Sequence, residues 1–176
     1  MNEFICTWGT RPLIITILII LVVCAVSVYL IFGLTKRYKL KGKNNNFVFF
    51  CLVFAYLLPV VLVLPFLYMP LKISVTSEML AVKQIKGEIS IPISEIIEIR
   101  KVQKGELKNC IKRTVTVGGL FGYLGKFENQ QLGKFQMYVT DTKNRFIVKT
   151  KNQVYIFSCE NRDELIQIIN NQIDNK

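Results

Sequence analysis

The chain contains no histidine. That absence removes a histidine general base, a Ser-His-Asp triad and any histidine-ligated metal. Cysteine is sparse. Cys6, Cys24, Cys51, Cys110 and Cys159 form no CxxC pair and no metal-ligand spacing. Cys24 and Cys51 fall inside apolar runs. Cys110 and Cys159 are read as free thiols, with a disulfide between them as the alternative if this part lies outside the cytoplasm. Acidic residues are also few, 12 Asp and Glu against 23 Lys and Arg. They are spread through turns and strand faces, and helix capping accounts for Asp163 and Glu164. The expectation is a protein that is not an enzyme, with no cofactor, no metal and no small-molecule substrate.

Charge is missing altogether from two long runs, Leu13–Leu34 and Phe47–Pro70. Twenty-two residues of helix span roughly 33 Å, against about 30 Å of bilayer hydrocarbon. Core helices are shorter and keep a polar stripe, so both runs are expected to cross a membrane, as helices over about 13–34 and 47–69. The first is too long for a signal peptide, and Thr-Lys-Arg-Tyr-Lys follows it rather than a small-residue cleavage site. Pro59 and Pro65 kink a membrane helix without destroying it. Residues 1–70 are thus read as a membrane hairpin of a multi-pass protein in the cell (inner) membrane. Its connection, 35–46, carries Lys36, Arg37, Lys39, Lys41 and Lys43 and no acid. The positive-inside rule assigns it to the cytoplasm, with the C-terminal part outside.

From Leu71 the pattern changes to short alternating segments. "MLAVKQI", Lys86-Gly87 and "EISIPI" read as a hairpin, with Pro92 marking an edge or a bulge. "SEIIEIRKV" is rich in β-branched residues and reads as a strand. Lys104–Lys112 is a polar loop. "CIKRTVTV", "GKFQMYVTD", "RFIVKT" and "QVYIFSC" are further strands separated by turn signals. Asn161 and Glu164 make a capping-box-like start to a helix over 162–173, whose Leu165, Ile168, Ile169 and Ile173 form one apolar stripe. The expected domain over 71–176 is mainly β, with about seven antiparallel strands in a bent sheet or barrel and a capping C-terminal helix.

"VGGLFGYLGKFENQQLGKF", Val117–Phe135, holds five of the ten glycines. Its glycine spacing matches neither a dinucleotide fingerprint nor a Walker loop. Glycine permits positive φ and close backbone approach where a sheet turns. Leu120–Phe127 reads as a strand with Phe121, Tyr123 and Phe127 on one side. The alternative exposes Leu120, Phe121 and Tyr123 at a loop tip that meets lipid or a partner.

This segment, continued through "QMYVTDTKNRFIVKTKNQVYIF" and the helix start "SCENRDEL", resembles bacterial pleckstrin-homology (PH)-like domains. The resemblance covers roughly Leu71–Gln172. It implies a strongly bent antiparallel sheet closed by a C-terminal helix, often fused to membrane hairpins, and roles in protein interaction and oligomer formation. The basic motif of the eukaryotic phosphoinositide site is not found in this chain.

Lys101, Lys104, Lys108, Lys112 and Arg113 flank one loop, and Lys126 and Lys134 flank the glycine segment. If adjacent, they form an anion-attracting rim; a solvated face is the default. The candidate interaction surface is Leu120, Phe121, Tyr123, Lys126, Lys108, Lys112 and Arg113. Net charge over 71–176 is +6, from 17 Lys and Arg against 11 Asp and Glu. It suits anionic headgroups, while the scattered basic residues argue against nucleic acid. The expected function is a membrane-anchored, non-enzymatic module whose partners are the bilayer and a protein, another copy included. The alternative is an accessory subunit of a transport or envelope-stress assembly whose helices make the main contacts. On this pattern, a fragment starting at residue 71 is expected to fold alone and stay soluble, checked by circular dichroism and gel filtration.

Overall fold

A computed structural model describes residues 2–40, 53, 57, 60, 65–112, 117–118 and 122–174. The chain opens with a short strand, β1 (Asn2–Ile5), followed by helix α1 (Thr10–Leu40). The helix starts before the expected residue 13 and ends after residue 34. It therefore includes positions 36, 37 and 39, because straight-chain Lys and Arg extend a helix readily. Pro12–Gly33 is long and apolar enough to cross a membrane. Most of its apolar side chains are bare, with Leu13, Ile14, Leu18, Leu21, Val22 and Val26 all exposed. Most of the second expected helix, 47–69, lies outside the described residues. Residues 53, 57, 60 and 65–67 are helical.

Strands β2 (Pro70–Val75), β3 (Met79–Gln84) and β4 (Glu88–Pro92) form an antiparallel sheet with β1, in the order β1-β2-β3-β4. The β3–β4 turn closes through Gln84 N–H to Gly87 O (2.7 Å). Pro92 sits on the edge strand, where its missing donor costs no ladder bond.

A 3-10 turn (Ile93–Glu95) leads into β5 (Ile96–Lys101) of a second sheet. Its other strands are β6 (Ile111–Lys112), β7 (Val117–Gly118), β8 (Tyr123–Asn129), β9 (Gly133–Val139), β10 (Arg145–Thr150) and β11 (Val154–Ser158). The order is β5-β10-β11-β9-β8-β6, with β7 also on β8.

Two expectations are corrected here. The described residues contain eleven strands, ten of them from residue 70 onward rather than about seven, among them the two-residue strands β6 and β7. The sheet is also not wholly antiparallel, because β9 and β11 pair in parallel. The β10–β11 hairpin folds back so that β11, not β10, lies beside β9.

Helix α2 (Arg162–Asp174) ends the described chain, one residue beyond the expected 173, and lies against β5 and the 3-10 turn. Leu165, Ile166 and Ile169 point inward at helical spacing and join the main core. That core lies between the sheets and includes Phe4, Ile73, Leu80, Val82, Phe146 and Phe157. A second cluster of Phe127, Phe135, Met137, Val139, Ile147 and Ile156 fills the other side of the second sheet. Phe146, Ile147 and Val148 are buried in succession, as expected of a strand covered on both faces.

The pairing of β1 with β2 was not expected. Asn2↔Val75, Glu3↔Ser74, Phe4↔Ile73 and Ile5↔Lys72 are in antiparallel register. The first strand of the β domain thus precedes α1, although the sequence pattern assigns residues 1–70 to the membrane part. A fragment starting at residue 71 would expose the outer edge of β2 and leave the site of Phe4 empty. Phe4→Ala is predicted to destabilise the full chain by about 3–5 kcal/mol. Ile5→Ala, at a residue 63% exposed, should cost less than about 0.5 kcal/mol. Thermal unfolding in detergent micelles checks both.

Candidate functional site

The two ends of the 10–69 segment join the β domain side by side. On the incoming side, Thr140 Oγ1 donates to Thr7 O (2.9 Å) and Gly9 N–H to Thr140 O (3.0 Å). A Cβ on Gly9 would lie 3.1 Å from Asp141 Oδ1 and 3.2 Å from Thr140 O, so glycine permits this close approach. The receiving turn is itself fixed. Ser158 Oγ accepts from the N–H groups of Thr140 (3.0 Å) and Asp141 (3.1 Å). The Asp141 carboxylate accepts from Lys143 N–H (2.9 Å) and Asn144 Nδ2 (3.0 Å).

On the outgoing side, Gln84 Nε2 donates to Tyr68 O (3.0 Å) and Lys86 N–H to Leu67 O (2.9 Å). Lys86 Nζ reaches Tyr68 OH (2.6 Å) and lies 4.6 Å from the ring centroid, a cation–π geometry. Both ends of the segment are thus hydrogen-bonded to turns of the domain. α1 therefore meets the domain through a stiff joint.

The described residues of the sequence-predicted surface are not gathered into one patch. Tyr123 begins β8 opposite Val139 and is half-exposed, next to the α1 junction. Lys126 is exposed in mid-strand, opposite Gln136. Lys108 lies in the 104–109 turn, in a groove with Gly105, Ile111, Glu128, Asn129 and Gln130. Six residues of strand separate Tyr123 from Asn129, about 20 Å. Lys112 pairs through its backbone with Phe127 in β6. Leu120, Phe121 and Arg113 lie outside the described residues. Of the flanking lysines, Lys101 bonds to Asp163 Oδ2 of α2 (2.7 Å) and Lys134 faces Glu128 across β8–β9. The expected strand over Leu120–Phe127, whose first two residues lie outside the described ones, corresponds to β8, which runs on to Asn129.

The groove at the far end is built on a charge network that sequence spacing does not reveal. Arg100 grips Glu106 with both terminal nitrogens and reaches Glu98 Oε1 through Nε (2.8 Å). The fork-to-carboxylate geometry is directional as well as charged. Hydrogen bonding from Arg100 holds the Glu106 carboxyl below its ordinary range, against the opposing effect of burial. Glu106 Oε2 also accepts from Gln103 N–H (2.9 Å), and Glu106 O from Asn129 Nδ2 (2.8 Å). Asn129 Oδ1 accepts from Leu132 N–H (2.7 Å). The 104–109 turn is thereby fastened to the β8–β9 hairpin. Ile111, 67% exposed, projects from the edge strand beside it.

This groove offers an apolar side chain, one ammonium, one carboxylate and several amides, an arrangement that can bind a polar partner. Burial pushes the nearby Cys110 thiol up, away from reactivity. Cys110 donates to Leu107 O (3.2 Å) and Cys159 is buried in the main core, so the two are far from each other and both are free. Among the described residues, no three of His, Cys, Asp and Glu converge to hold a metal ion.

Two glycines of Val117–Phe135 divide by role. Gly122 has φ +123°, and a Cβ there would collide with Val139 O and approach Thr140 Cα to 3.1 Å. Gly133 has φ +67° with open space around it. Gly122→Ala is predicted to destabilise the full chain by more than about 3 kcal/mol. Gly133→Ala should cost only the left-handed backbone penalty, about 1–2 kcal/mol. Urea titration in micelles, followed by tyrosine fluorescence, distinguishes them.

The two sheets and the C-terminal helix agree with one family. A family model described as Bacterial PH domain matches residues 71–173, more than half of the chain. No curated protein and no solved structure matches it. Strand β1 and helix α1 lie before the matched region. The chain belongs to the bacterial PH domain family.

Proposed function

We propose that the chain is a non-enzymatic integral membrane protein. A two-helix hairpin, α1 and the apolar run 47–69, is inserted between β1 and β2 and holds the PH-like domain beside the bilayer. The domain's far end, around Lys108 and Ile111, is the surface offered to a protein partner.

The observation that carries this reading is the β1–β2 pairing. Residues that exchange strand hydrogen bonds lie on the same side of any membrane. Between Ile5 and Lys72 the chain must therefore cross an even number of times. α1 alone crosses once, and the charge-free run 47–70 supplies the return. The same pairing argues against α1 as a cleaved signal sequence, because cleavage after it would remove Phe4 and Cys6 from the core. Bare leucines, isoleucines and valines along α1 need lipid or protein cover.

The basic residues at 36–43 favour a cytoplasmic connection and a domain outside the cytoplasm. In this arrangement Tyr68, with Lys86 bonded to it, meets the headgroup layer, where tyrosine and lysine are both at home. The groove about 20 Å away along β8 points beyond the headgroups, which favours protein over lipid as its partner. The stiff joint and the anchor together raise the local concentration of that surface, so a weak contact becomes effectively intramolecular.

Single cysteines at Glu3, Lys143 and Gly42, in a chain otherwise free of cysteine, test the topology with a membrane-impermeant maleimide. Positions 3 and 143 should label in intact cells, and position 42 only after permeabilisation. Labelling of 3 and 143 from opposite faces would sink the hairpin. A photo-crosslinker at Ile111 should give discrete protein adducts. Adducts to lipid alone would turn the groove into a membrane contact, and adducts formed only from α1 positions would favour an accessory subunit.

A further inference from the structure

Two cysteines that the fold brings together are 153 positions apart in sequence. Cys6 follows β1 and Cys159 follows β11, and both are buried in the main core. Backbone and side-chain bonds bracket the pair on either side. On one side Glu160 N–H donates to Ile5 O (3.1 Å). On the other, Thr140 Oγ1 donates to Thr7 O (2.9 Å) and lies 3.5 Å from Ser158 Oγ. Cys6 therefore lies between Ile5 and Thr7 just where Cys159 lies between Ser158 and Glu160. The order 5 with 160 and 7 with 158 is that of locally antiparallel chains. The Glu160–Ile5 bond joins the residues next to the two cysteines, so their backbones adjoin and the pair comes within reach of the Cα separation a disulfide needs, about 4.4–6.8 Å. The two sulfurs also sense one another, since the Cys159 charge adds to burial in raising the Cys6 thiol.

We propose that Cys6 and Cys159 are a disulfide site that covalently ties the N-terminal strand to the end of the β domain. In the reaction each thiol gives up one proton and one electron, and a sulfur–sulfur bond forms. A disulfide-bearing oxidant of the thiol-exchange class accepts both electrons and both protons, and its own bond breaks to leave two thiols. The bond would close a loop that contains α1 and the second apolar run. The strand before the anchor could then no longer peel from the domain. The site needs only the β1–β11 geometry and stands whichever side of the membrane carries the domain. A domain outside the cytoplasm would meet such oxidants routinely.

The local chemistry sets the kinetics. Burial pushes both thiols up to about 12. The attacking thiolate is therefore scarce at neutral pH, and closure is slow in the folded protein. The same burial shields the finished bond from reductants.

The full chain with Cys24, Cys51 and Cys110 replaced by alanine, purified in detergent, tests this directly. It is incubated with oxidised glutathione at pH 9, where thiolate is about a hundredfold more abundant than at pH 7. It is then denatured and treated with maleimide. The expected product carries no maleimide and no glutathione, and digestion yields one cross-linked peptide joining Cys6 to Cys159. Dithiothreitol should restore two alkylation sites. The Cys6→Ala variant should instead retain one reactive site at Cys159. Two free thiols, or a separate glutathione on each, in protein that gives a sharp thermal transition would overturn the proposal. In protein carrying the bond, amide exchange at Phe4 should slow at least tenfold. Unchanged exchange there would show that the bond does not hold the strand and would also overturn it.

Discussion

Four residues at the start of the chain govern the rest. β1 contributes one strand to a four-stranded sheet, and Phe4, with Cys6 just after the strand, to a core otherwise built from residues after 69. Strand pairing is short-ranged, so the chain between Ile5 and Lys72 must begin and end at the same place. A helix as long and apolar as Pro12–Gly33 cannot return by itself. The even number of crossings in the proposed hairpin follows from this single geometric constraint. It is independent of the charge bias in the connection.

The same constraint explains the detail at the junction. If the anchor were joined by a loose linker, nothing would require Gly9 to lie against Thr140 and Asp141, or Lys86 to bond the Leu67 carbonyl. Because strands on both sides of the segment belong to one sheet, the turns β3–β4 and β9–β10 surround its two ends. Gly122 packs on Val139 and Thr140 of that second turn. Gly122 thus supports the floor on which α1 stands. Among the described glycines of its segment it serves close approach, while Gly133 faces open space, and the consequence is mechanical. A domain held this way keeps a near face and a far face, and the proposed partner surface is on the far one.

Much of this was legible in the sequence. The Lys86-Gly87 hairpin, Pro92 on an edge strand, β10, β11 and α2 all follow from alternation, turn residues and helical spacing. Three features were not. β1 is only four residues long, too short for a periodic signal, and an apolar run begins soon after it. The parallel pairing of β9 with β11 was hidden because periodicity tells which face a residue occupies, not which strand lies beside it. The division of the candidate surface was hidden for a related reason. Tyr123 and Lys108 stand together in the candidate surface, yet β8 runs between them and sends them towards its opposite ends. The grip of Arg100 on Glu106 also escapes pattern, since pairing of charges in a loop depends on how the loop folds.

The account stands or falls on β1 being paired with β2 while α1 lies in a bilayer. Glu3 and Ser74 are opposite one another on the outer face of that pair. Cysteines introduced at both positions, in a chain otherwise free of cysteine and kept in native membranes, test the pairing directly. Mild oxidation should join the two quantitatively within one chain, and cysteines at Glu3 and Glu88 should fail to join. No bond between positions 3 and 74, with both still reactive towards maleimide, would contradict the account.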